Sequence, residues 1–340
     1  MQDRIRHPLF RDRLASAEEA AKAILPGTTV AMSGFTGAGY PKAVPQALAA
    51  RVERANAAGE RFRIKVLTGA STAPELDGAL AKVEGMELRL PYQSDPTVRE
   101  RINGGSLEYI DIHLSHVAQH TWFGFFGKID VAVIEVAGIR EDGSLIPSSS
   151  VGNNKTWLEL ADKVILEVNS WQPAALDGMH DVYYGTALPP HRKPILLESP
   201  DQRIGEPSLR VDPDKVVAVV ETHAPDRNSP FSPPDEDSKK IAGHLLDFLA
   251  HEIKRGRLTE KLLPLQSGVG NIPNAVLAGL AEGGYKDLTA YTEVIQDGMI
   301  DLIDSGKLTV ASATAFSLSP EYANKMNDNA STYNKKIVLR

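Results

Sequence analysis

Short apolar runs alternate along this chain with stretches in which apolar residues recur at helical spacing. Nearly continuous apolar runs of roughly four to eight residues are typical of strands that are covered on both faces, as in a parallel sheet. This pattern predicts strands at Thr28–Ser33, Arg63–Thr68, Val131–Val136, Lys163–Val168 and Leu288–Thr292. Because helices are predicted between the strands, the pattern indicates an α/β fold.

The predicted helices are marked by residues at their ends. Ser16 followed by Glu19 forms a capping-box pattern, which predicts a helix that runs to about Ile24, before a Pro-Gly pair. A second helix is predicted over Ala43–Ala57, directly after a glycine-rich loop. The second helix therefore lies between two predicted strands, where a parallel α/β sheet needs a connection.

Prolines and polar residues concentrate at positions 223–238, and this composition predicts an interdomain linker. The prolines of this segment are Pro225, Pro230, Pro233 and Pro234. After it, apolar residues recur at helical spacing from Ile241 to Ile253. We therefore expect one domain at 1–222 and another at 239–340, which would carry the candidate nucleophile described below.

An internal repeat crosses the predicted linker. Both copies read G-x-G, a short spacer and then P-x-A-V-x-x-x-L, with Pro41 in the first copy and Pro273 in the second. Each copy opens a predicted helix that leads to a predicted strand, so the two halves are expected to share one α/β fold. The prolines are 232 residues apart, and Arg340 therefore corresponds to position 108 of the first copy. The second domain is expected to be incomplete on this basis.

Composition narrows the function classes. The 340 residues include 37 Lys and Arg against 44 Asp and Glu, and no basic block occurs, so a nucleic-acid partner is not expected. The absence of cysteine excludes disulfides, thiolate metal sites and a cysteine nucleophile. The amino terminus lacks the apolar run of a signal peptide, and no apolar stretch is long enough for a spanning helix, so we expect a cytoplasmic protein with no membrane partner.

Two glycine-rich loops are candidates for ligand binding. The first, Gly34–Gly39, has the order G-x-x-G-x-G, which differs from the dinucleotide fingerprint, and the chain contains no P-loop motif. One such loop alone would favour a plain strand-to-helix turn. The second loop, Gly268–Gly270, lies at the matching place of the other half. The pair favours backbone N–H groups that face a shared cleft and bind an anion or an oxyanion.

Glu293 follows the predicted strand Leu288–Thr292, whereas the matching strand of the first copy is followed by Gly69–Ser71, without a carboxylate. Ligands of α/β proteins bind at the carboxyl ends of the strands. The repeat places Glu293 beside the second glycine loop, which predicts a carboxylate nucleophile next to oxyanion donors. A solvated glutamate at a strand end is the plain alternative.

Other polar clusters carry weaker predictions. His113, His116 and His120 could share a helix face, but such a face is more typical of packed or solvated histidines, and no metal site is expected. Ser148–Ser150 fits a turn or a ligand loop, and no Ser–His–Asp arrangement is recognisable. Arg227 in the predicted linker is either solvated or placed to clamp a substrate carboxylate.

Five segments of the chain carry a pattern of their own: 33–42, 67–71, 147–153, 265–271 and 291–298. Together they resemble the acetyl-CoA hydrolase/transferase family of class I CoA-transferases, and within it the succinyl-CoA:acetate CoA-transferases. The resemblance implies two related open α/β domains of the NagB/RpiA-like type. Family members continue beyond Arg340 with a further glycine-rich loop, so the resemblance also implies that the second domain is incomplete here.

The resemblance also implies a role for each candidate residue. Glu293 would attack an acyl-CoA, for which succinyl-CoA is expected, and form a glutamyl-CoA thioester that acetate resolves. The residues implied for the oxyanion and for CoA are Gly268, Val269, Gly270 and Asn271, and those implied for the small carboxylate are Ser71, Ser94 and Arg227. No cofactor is implied, since the CoA thioester is the substrate, and a homodimer is expected. An acetyl-CoA hydrolase, and an inactive chain that only binds a ligand or a partner, stay open as alternatives.

Overall fold

The computed structural model describes residues 2–228 and 234–340. Pro230 and Pro233 of the predicted linker lie outside the described residues. The strands are β1 (Thr29–Met32), β2 (Ile64–Leu67), β3 (Met86–Leu90), β4 (Glu108–Tyr109), β5 (Ile129–Ile139), β6 (Leu145–Pro147), β7 (Ala161–Asn169), β8 (Val216–Thr222), β9 (Leu288–Tyr291), β10 (Val294–Ile295), β11 (Leu308–Ala313), β12 (Ala315–Phe316) and β13 (Ile337–Leu339).

Most of the helices lie between these strands along the chain. They are α1 (Pro8–Arg11), α2 (Ala17–Ala21), α3 (Ala43–Ala57), α4 (Ala79–Lys82), α5 (Pro96–Asn103), α6 (Leu114–Trp122), α7 (Asn154–Leu160), α8 (Glu236–Lys254), α9 (Asn271–Glu282), α10 (Asp297–Asp304), α11 (Pro320–Asp328) and α12 (Ala330–Tyr333). A π-helical turn at Pro74–Gly78 precedes α4. Among the described residues, no helix combines the length and the apolar character that crossing a bilayer requires.

The first sheet has the strand order β4–β3–β2–β1–β5–β7–β8, and all neighbours on this path are parallel. β6 pairs antiparallel with β5. All four residues of β1 are buried, as are ten of the eleven residues of β5. The continuous apolar runs therefore form strands covered on both faces, which confirms the prediction of an α/β fold with a parallel sheet.

A second parallel sheet contains β13, β11 and β9, in that order. Leu265 forms a parallel bridge to Ala290 of β9 and extends the sheet by one position. The order β13–β11–β9–Leu265 matches the order β4–β3–β2–β1 of the first sheet. In both sheets a glycine loop and a helix, α3 or α9, connect the last two members of this series.

Two predicted helix boundaries differ from the structure. The first helix ends at Ala21 rather than near Ile24, because the Arg51 guanidinium donates hydrogen bonds to the carbonyl oxygens of both residues, at 2.7 and 2.6 Å. Beyond Ala21 the chain continues in i to i+3 turns, in which the Ile24 N–H donates to the Ala21 carbonyl at 3.1 Å, so the last carbonyls are satisfied without a further α-helical turn. The other difference lies in the predicted linker, whose last residues belong to α8, which Asp235 caps through the Ser238 N–H.

The two sheets pack into a common apolar core, and backbone hydrogen bonds connect them. The Val151 N–H donates to the Thr314 carbonyl at 3.0 Å, and the Phe316 N–H donates to the Ser149 carbonyl at 3.0 Å. At the other end, Leu339 of β13 exchanges backbone hydrogen bonds with the 179–181 segment. The largest cluster of buried apolar residues includes members of both sheets. The segment around β10 and β12 therefore lies directly on the first half.

Candidate active site

Glu293 lies between β9 and β10, at the carboxyl end of a parallel strand, and its side chain is exposed. Its backbone is fixed, because its carbonyl oxygen accepts a hydrogen bond from the Thr314 N–H at 2.9 Å. The preceding residue, Thr292, donates its backbone N–H to the Ser312 carbonyl at 2.9 Å. A firmly held main chain thus presents a carboxylate to solvent.

The second glycine loop contacts the residues on either side of Glu293. The Thr292 hydroxyl donates to the Ser267 carbonyl at 3.1 Å, and the Gln296 side-chain amide donates to the Gly268 carbonyl at 2.6 Å. Gly270, with φ of +143°, is the N-cap of α9, so the loop runs directly into a helix that begins at Asn271. Among the described residues, the Val269 and Gly270 amides donate to no protein group. They lie where a developing negative charge could be bound.

The first glycine loop supports Glu293 from the opposite half. Phe35 and Ala38 exchange backbone hydrogen bonds of 2.9 and 3.0 Å, which close a tight turn. The side chains of both residues pack against Val294, together with Ala70 and Ala315, in a small buried cluster. The residue that follows Glu293 therefore rests on the first loop, and both glycine loops lie next to the Glu293 segment.

The structure brings two of the three residues predicted to bind a carboxylate into direct contact. The Ser71 and Ser94 hydroxyls are 2.7 Å apart, and the Ser94 N–H donates to the Ser71 hydroxyl at 3.0 Å. Ser71 is buried and directly follows Ala70 of the cluster beneath Val294, whereas Ser94 is exposed. This pair of hydroxyls thus connects the region near Glu293 with solvent.

The third residue, Arg227, contacts the first glycine loop and a glutamate. Its N–H donates to the Gly37 carbonyl at 3.0 Å, and its Nε lies 2.7 Å from Oε1 of Glu75. The Arg227 side chain is 63% exposed. No contact joins Arg227 directly to Ser71 or Ser94, but Glu75 lies four positions after Ser71 in the same connection.

A buried charge cluster next to the first loop escaped the sequence analysis. Lys42 Nζ lies 2.5 Å from a Glu135 oxygen and 2.9 Å from an Asp226 oxygen, and all three side chains are at most 5% exposed. Asn169 and Gln172 donate further hydrogen bonds to Glu135. A carboxylate within an apolar strand is itself a signal, because it needs a buried partner.

The environment shifts the pKa values of this cluster. Burial raises the pKa of Glu135 to about 7, although the Lys42 ammonium opposes the shift. Burial alone would lower the pKa of Lys42, but Asp226 and Glu135 outweigh it and hold that pKa above its ordinary value. The cluster therefore keeps a cation fixed beneath the first loop.

Glu167 of β7 is a second buried carboxylate, and it caps α3. Its oxygens accept hydrogen bonds from the backbone N–H groups of Lys42, Ala43 and Val44 at 2.5 to 3.1 Å. Burial raises the pKa of Glu167, and these three N–H groups oppose that rise. The side chain of the N-cap residue makes no capping hydrogen bond. A carboxylate on a strand that is distant in the sequence therefore accepts the free N–H groups at the start of the helix.

The histidine and serine clusters have structural contacts. His116 and His120 stack on α6 with ring centroids 5.8 Å apart, while His113 is the N-cap of that helix. Within the described part of the chain, no group of three potential metal ligands comes together. Ser150 donates to the Ala38 carbonyl at 3.0 Å, and Ser149 donates to Asp226. The serine loop thus supports the first glycine loop.

Comparisons with known proteins show what the chain is similar to. The family model described as "Acetyl-CoA hydrolase/transferase N-terminal domain" matches residues 1–221. The chain is 43% identical over 339 residues to a succinyl-CoA:acetate CoA-transferase of Clostridium kluyveri, and 40% identical over 346 residues to an acetyl-CoA hydrolase of Neurospora crassa. All of this chain is covered in both cases, together with 62% and 65% of the two relatives. The chain thus spans less than two thirds of their length.

Solved structures share the fold at low sequence identity. RipA from Yersinia pestis superposes with a TM-score of 0.70 at 20% identity, over 98% of this chain and 68% of the other. A 4-hydroxybutyrate CoA-transferase from Porphyromonas gingivalis superposes with a TM-score of 0.62 at 22% identity, over 97% of this chain and 67% of the other. The arrangement of parallel sheets is therefore one that CoA-transferase structures share over about two thirds of their length.

Proposed function

Because this chain belongs to the acetyl-CoA hydrolase/transferase family, we propose that it moves coenzyme A from an acyl-CoA to a small carboxylate through a thioester on Glu293. We propose succinyl-CoA as the donor and acetate as the acceptor, which are the substrates in the name of the Clostridium kluyveri relative. The observation that carries the proposal is the placement of Glu293. It is an exposed carboxylate on a fixed main chain, between two glycine loops.

The proposed steps conserve the thioester. The Glu293 carboxylate attacks the acyl-CoA carbonyl, and the carbon–sulfur bond breaks to give a mixed anhydride and the CoA thiolate. The thiolate attacks the glutamyl carbonyl, which releases the first carboxylate and leaves a glutamyl-CoA thioester. Acetate then repeats the two steps in reverse and leaves as acetyl-CoA. Since one carboxylate replaces another, the steps need no ATP hydrolysis and no electron transfer.

The glycine loop and the polar side chains receive complementary roles in this proposal. The Val269 and Gly270 amides stabilise the oxyanion of each tetrahedral intermediate. Gly268 and Asn271 contact CoA. The hydroxyls of Ser71 and Ser94 and the Arg227 guanidinium bind the small carboxylate, because a guanidinium pairs with a carboxylate in a bidentate manner.

We also propose that the two halves are related domains of the NagB/RpiA-like type, with part of the second domain represented here. The matching strand orders and glycine loops support this proposal. The activity of the whole protein remains a proposal, since the chain spans 62% and 65% of the two relatives. A homodimer is proposed from the resemblance alone, and a cytoplasmic location is a separate proposal.

Trapping the intermediate tests the proposed nucleophile. The chain, and the longest polypeptide that the same gene encodes, are incubated with succinyl-CoA, treated with borohydride and analysed by mass spectrometry. We expect a reduced Glu293 in the wild type, none in Glu293→Gln, and a wild-type result in Glu321→Gln, which alters an exposed glutamate of α11. Absence of the adduct in the longest polypeptide would refute the proposal.

The acetyl-CoA hydrolase is a second candidate, favoured by the exposure of Glu293 to water and by the name of the Neurospora crassa relative. In that case water rather than acetate resolves the glutamyl thioester. Release of CoA from acetyl-CoA is measured with and without acetate. A rate that does not depend on acetate supports the hydrolase. Where the adduct test also fails, a chain that only binds a ligand or a partner replaces both enzymes.

A further inference from the structure

We infer that Glu75 is a positioning residue that holds the Arg227 guanidinium ready to bind the substrate carboxylate. This inference rests on the proposed function, because it assumes that Arg227 binds a carboxylate. Glu75 lies in the π-helical turn at Pro74–Gly78, and its side chain is 19% exposed. A glutamate at this position places a negative charge beside Arg227, the cation that is proposed to bind the substrate carboxylate. Its role therefore needs a physical explanation.

Each oxygen of Glu75 has its own partner. Oε1 lies 2.7 Å from Nε of Arg227, and Oε2 accepts a hydrogen bond from the Tyr40 hydroxyl at 3.0 Å. Among the described residues, neither terminal nitrogen of Arg227 has a hydrogen-bond partner. Glu75 thus engages the Nε side of the guanidinium and leaves the two terminal nitrogens for an incoming carboxylate.

Glu75 is itself held by buried groups. Tyr40 is fully buried, and Lys42 Nζ lies 4.1 Å from the centroid of its ring. Lys42 is in turn fixed by Glu135 and Asp226. The carboxylate of Glu75 therefore has a firm attachment, which a solvated glutamate would lack.

The main chain of Arg227 is fixed at the same time. Its own N–H donates to the Gly37 carbonyl at 3.0 Å. The preceding Asp226 accepts hydrogen bonds from Lys42, from the Gly39 N–H at 3.1 Å and from Gln172 at 3.1 Å. The main chain and the Nε atom of Arg227 are therefore both held, although the side chain is 63% exposed.

This arrangement favours binding because the Arg227 side chain then loses less conformational entropy when the ligand binds. A free arginine side chain has many rotamers, and part of that freedom is lost when the side chain is immobilised. The Glu75 contact removes part of that freedom before the ligand arrives. Its negative charge weakens the attraction of Arg227 for an anion, so the two effects oppose each other, and our inference is that positioning is the larger one.

Direct binding of acetate separates the two effects without reference to turnover. Sodium acetate is titrated into the chain, and Kd is measured by NMR for the wild type, Glu75→Ala, Glu75→Gln and Arg227→Lys. We expect Glu75→Ala to raise Kd about tenfold. Glu75→Gln keeps an oxygen for Nε and should raise Kd less. In an Arg227→Lys background, the effect of Glu75→Ala should be smaller than in the wild type.

The chain offers a matched control in the second half. Glu252 pairs with Arg257, and their side chains are 13% and 55% exposed, close to the values for Glu75 and Arg227. Glu252→Ala should leave the Kd for acetate unchanged. Tyr40→Phe removes the hydroxyl that holds Glu75 and should raise Kd by a smaller factor, so it tests the inference where Glu75→Ala does not fold.

The possible outcomes distinguish this inference from the proposed function. An unchanged or lowered Kd in Glu75→Ala, with normal acetate binding by the wild type, overturns the positioning role and leaves the carboxylate site in place. Acetate binding that is absent, or equal in wild type and Arg227→Lys, overturns both the carboxylate site and the role of Glu75. The Glu293 adduct is measured separately and is unaffected by either result.

Discussion

At the scale of single residues, Lys42 provides the clearest stability prediction. Its ammonium is buried between Glu135 and Asp226. Lys42→Met leaves two buried carboxylates without their cation, and we expect it to lower the free energy of unfolding by about 3–5 kcal/mol in urea titrations. Lys239→Met removes an exposed, solvent-screened pair with Glu236 and should lower the free energy of unfolding much less. Equal costs for the two variants would contradict this account.

Glu135 gives the folded state a dependence on pH. Its pKa is about 7 when folded and near 4.5 when unfolded, so between these values the folded chain binds the extra proton. Its contribution to stability is therefore complete below pH 4.5 and is lost as the pH rises to about 7. Glu135→Gln should remove this decline from the free energy of unfolding measured between pH 5 and 8.

His180 contributes the opposite slope and must be separated from Glu135. Burial lowers the pKa of His180 to about 4, against 6.5 in the unfolded chain, so its contribution is complete above pH 6.5 and is lost as the pH falls to about 4. Because Glu135→Gln leaves His180 in place, the difference between variant and wild type isolates Glu135. A pH slope that is the same in both proteins would count against the buried, protonated Glu135.

Gly37 tests the connection between the first loop and Arg227. Its φ is +87°, and a Cβ at this position would lie 2.2 Å from the Arg227 carbonyl oxygen. Gly37→Ala should displace Arg227 and weaken acetate binding, measured by the same NMR titration. Gly59 has a similar φ of +81° and open space around it. Gly59→Ala therefore controls for backbone strain alone, and it should leave the Kd for acetate unchanged.

Whether the role of a residue could be predicted from the sequence depends on how far along the chain its contact partners lie. Glu135 and Glu167 are visible as carboxylates within apolar strands, which signals a buried partner. Their partner region, at Lys42 to Val44, lies 93 to 125 residues away. Nothing in the sequence near these strands identifies that region. The charge cluster and the cap on α3 therefore could not be predicted from the sequence.

At the scale of elements, Glu167 predicts how α3 is stabilised. Its fully buried carboxylate accepts hydrogen bonds from the backbone N–H groups of Lys42, Ala43 and Val44. Glu167→Ala should cost about 1–3 kcal/mol or more in the free energy of unfolding. Asp235 caps α8 at an exposed terminus, where water can replace the lost hydrogen bond, so Asp235→Ala should have a smaller cost. A cost for Glu167→Ala no greater than that for Asp235→Ala would be inconsistent with a buried cap.

The elements show which patterns are read reliably from sequence. The helix predicted over Ala43–Ala57 has those bounds in the structure, since a glycine-rich loop precedes it and Gly59 follows it closely. α2 is shorter than predicted because Arg51, some thirty residues away, binds its last carbonyls. Local signals therefore define an element until a distant side chain changes its end.

At the scale of the whole molecule, the connections between the sheets predict cooperative unfolding. The largest apolar cluster and the backbone hydrogen bonds at Val151 and Phe316 join the two sheets. We expect one calorimetric transition, with a calorimetric enthalpy equal to the van't Hoff value. Glu167→Ala in the first half and Gly298→Ala beside Leu277 in the second should lower the same midpoint. Two separate transitions would contradict this expectation.

The repeat anticipated the common pattern of the halves, but not their contacts. The pattern around Pro41 and Pro273 predicts a loop, a helix and a strand in each half, and both are present. The bonds that place the Glu293 segment on the first half depend on Ser149 and Thr314, which lie outside the repeated motif. Because sequence spacing says nothing about such contacts, the assembled site could not be derived from it.

The cap on α3 also bears on how the chain acquires its fold during translation. Glu167 emerges from the ribosome 123 residues after Val44, which it caps. At about 5–20 residues per second, that interval lasts roughly 6–25 s. Asp226, the second partner of Lys42, emerges later still. Lys42 is thus synthesised long before Glu135 and Asp226, and its ammonium must stay hydrated until both of these carboxylates have been made.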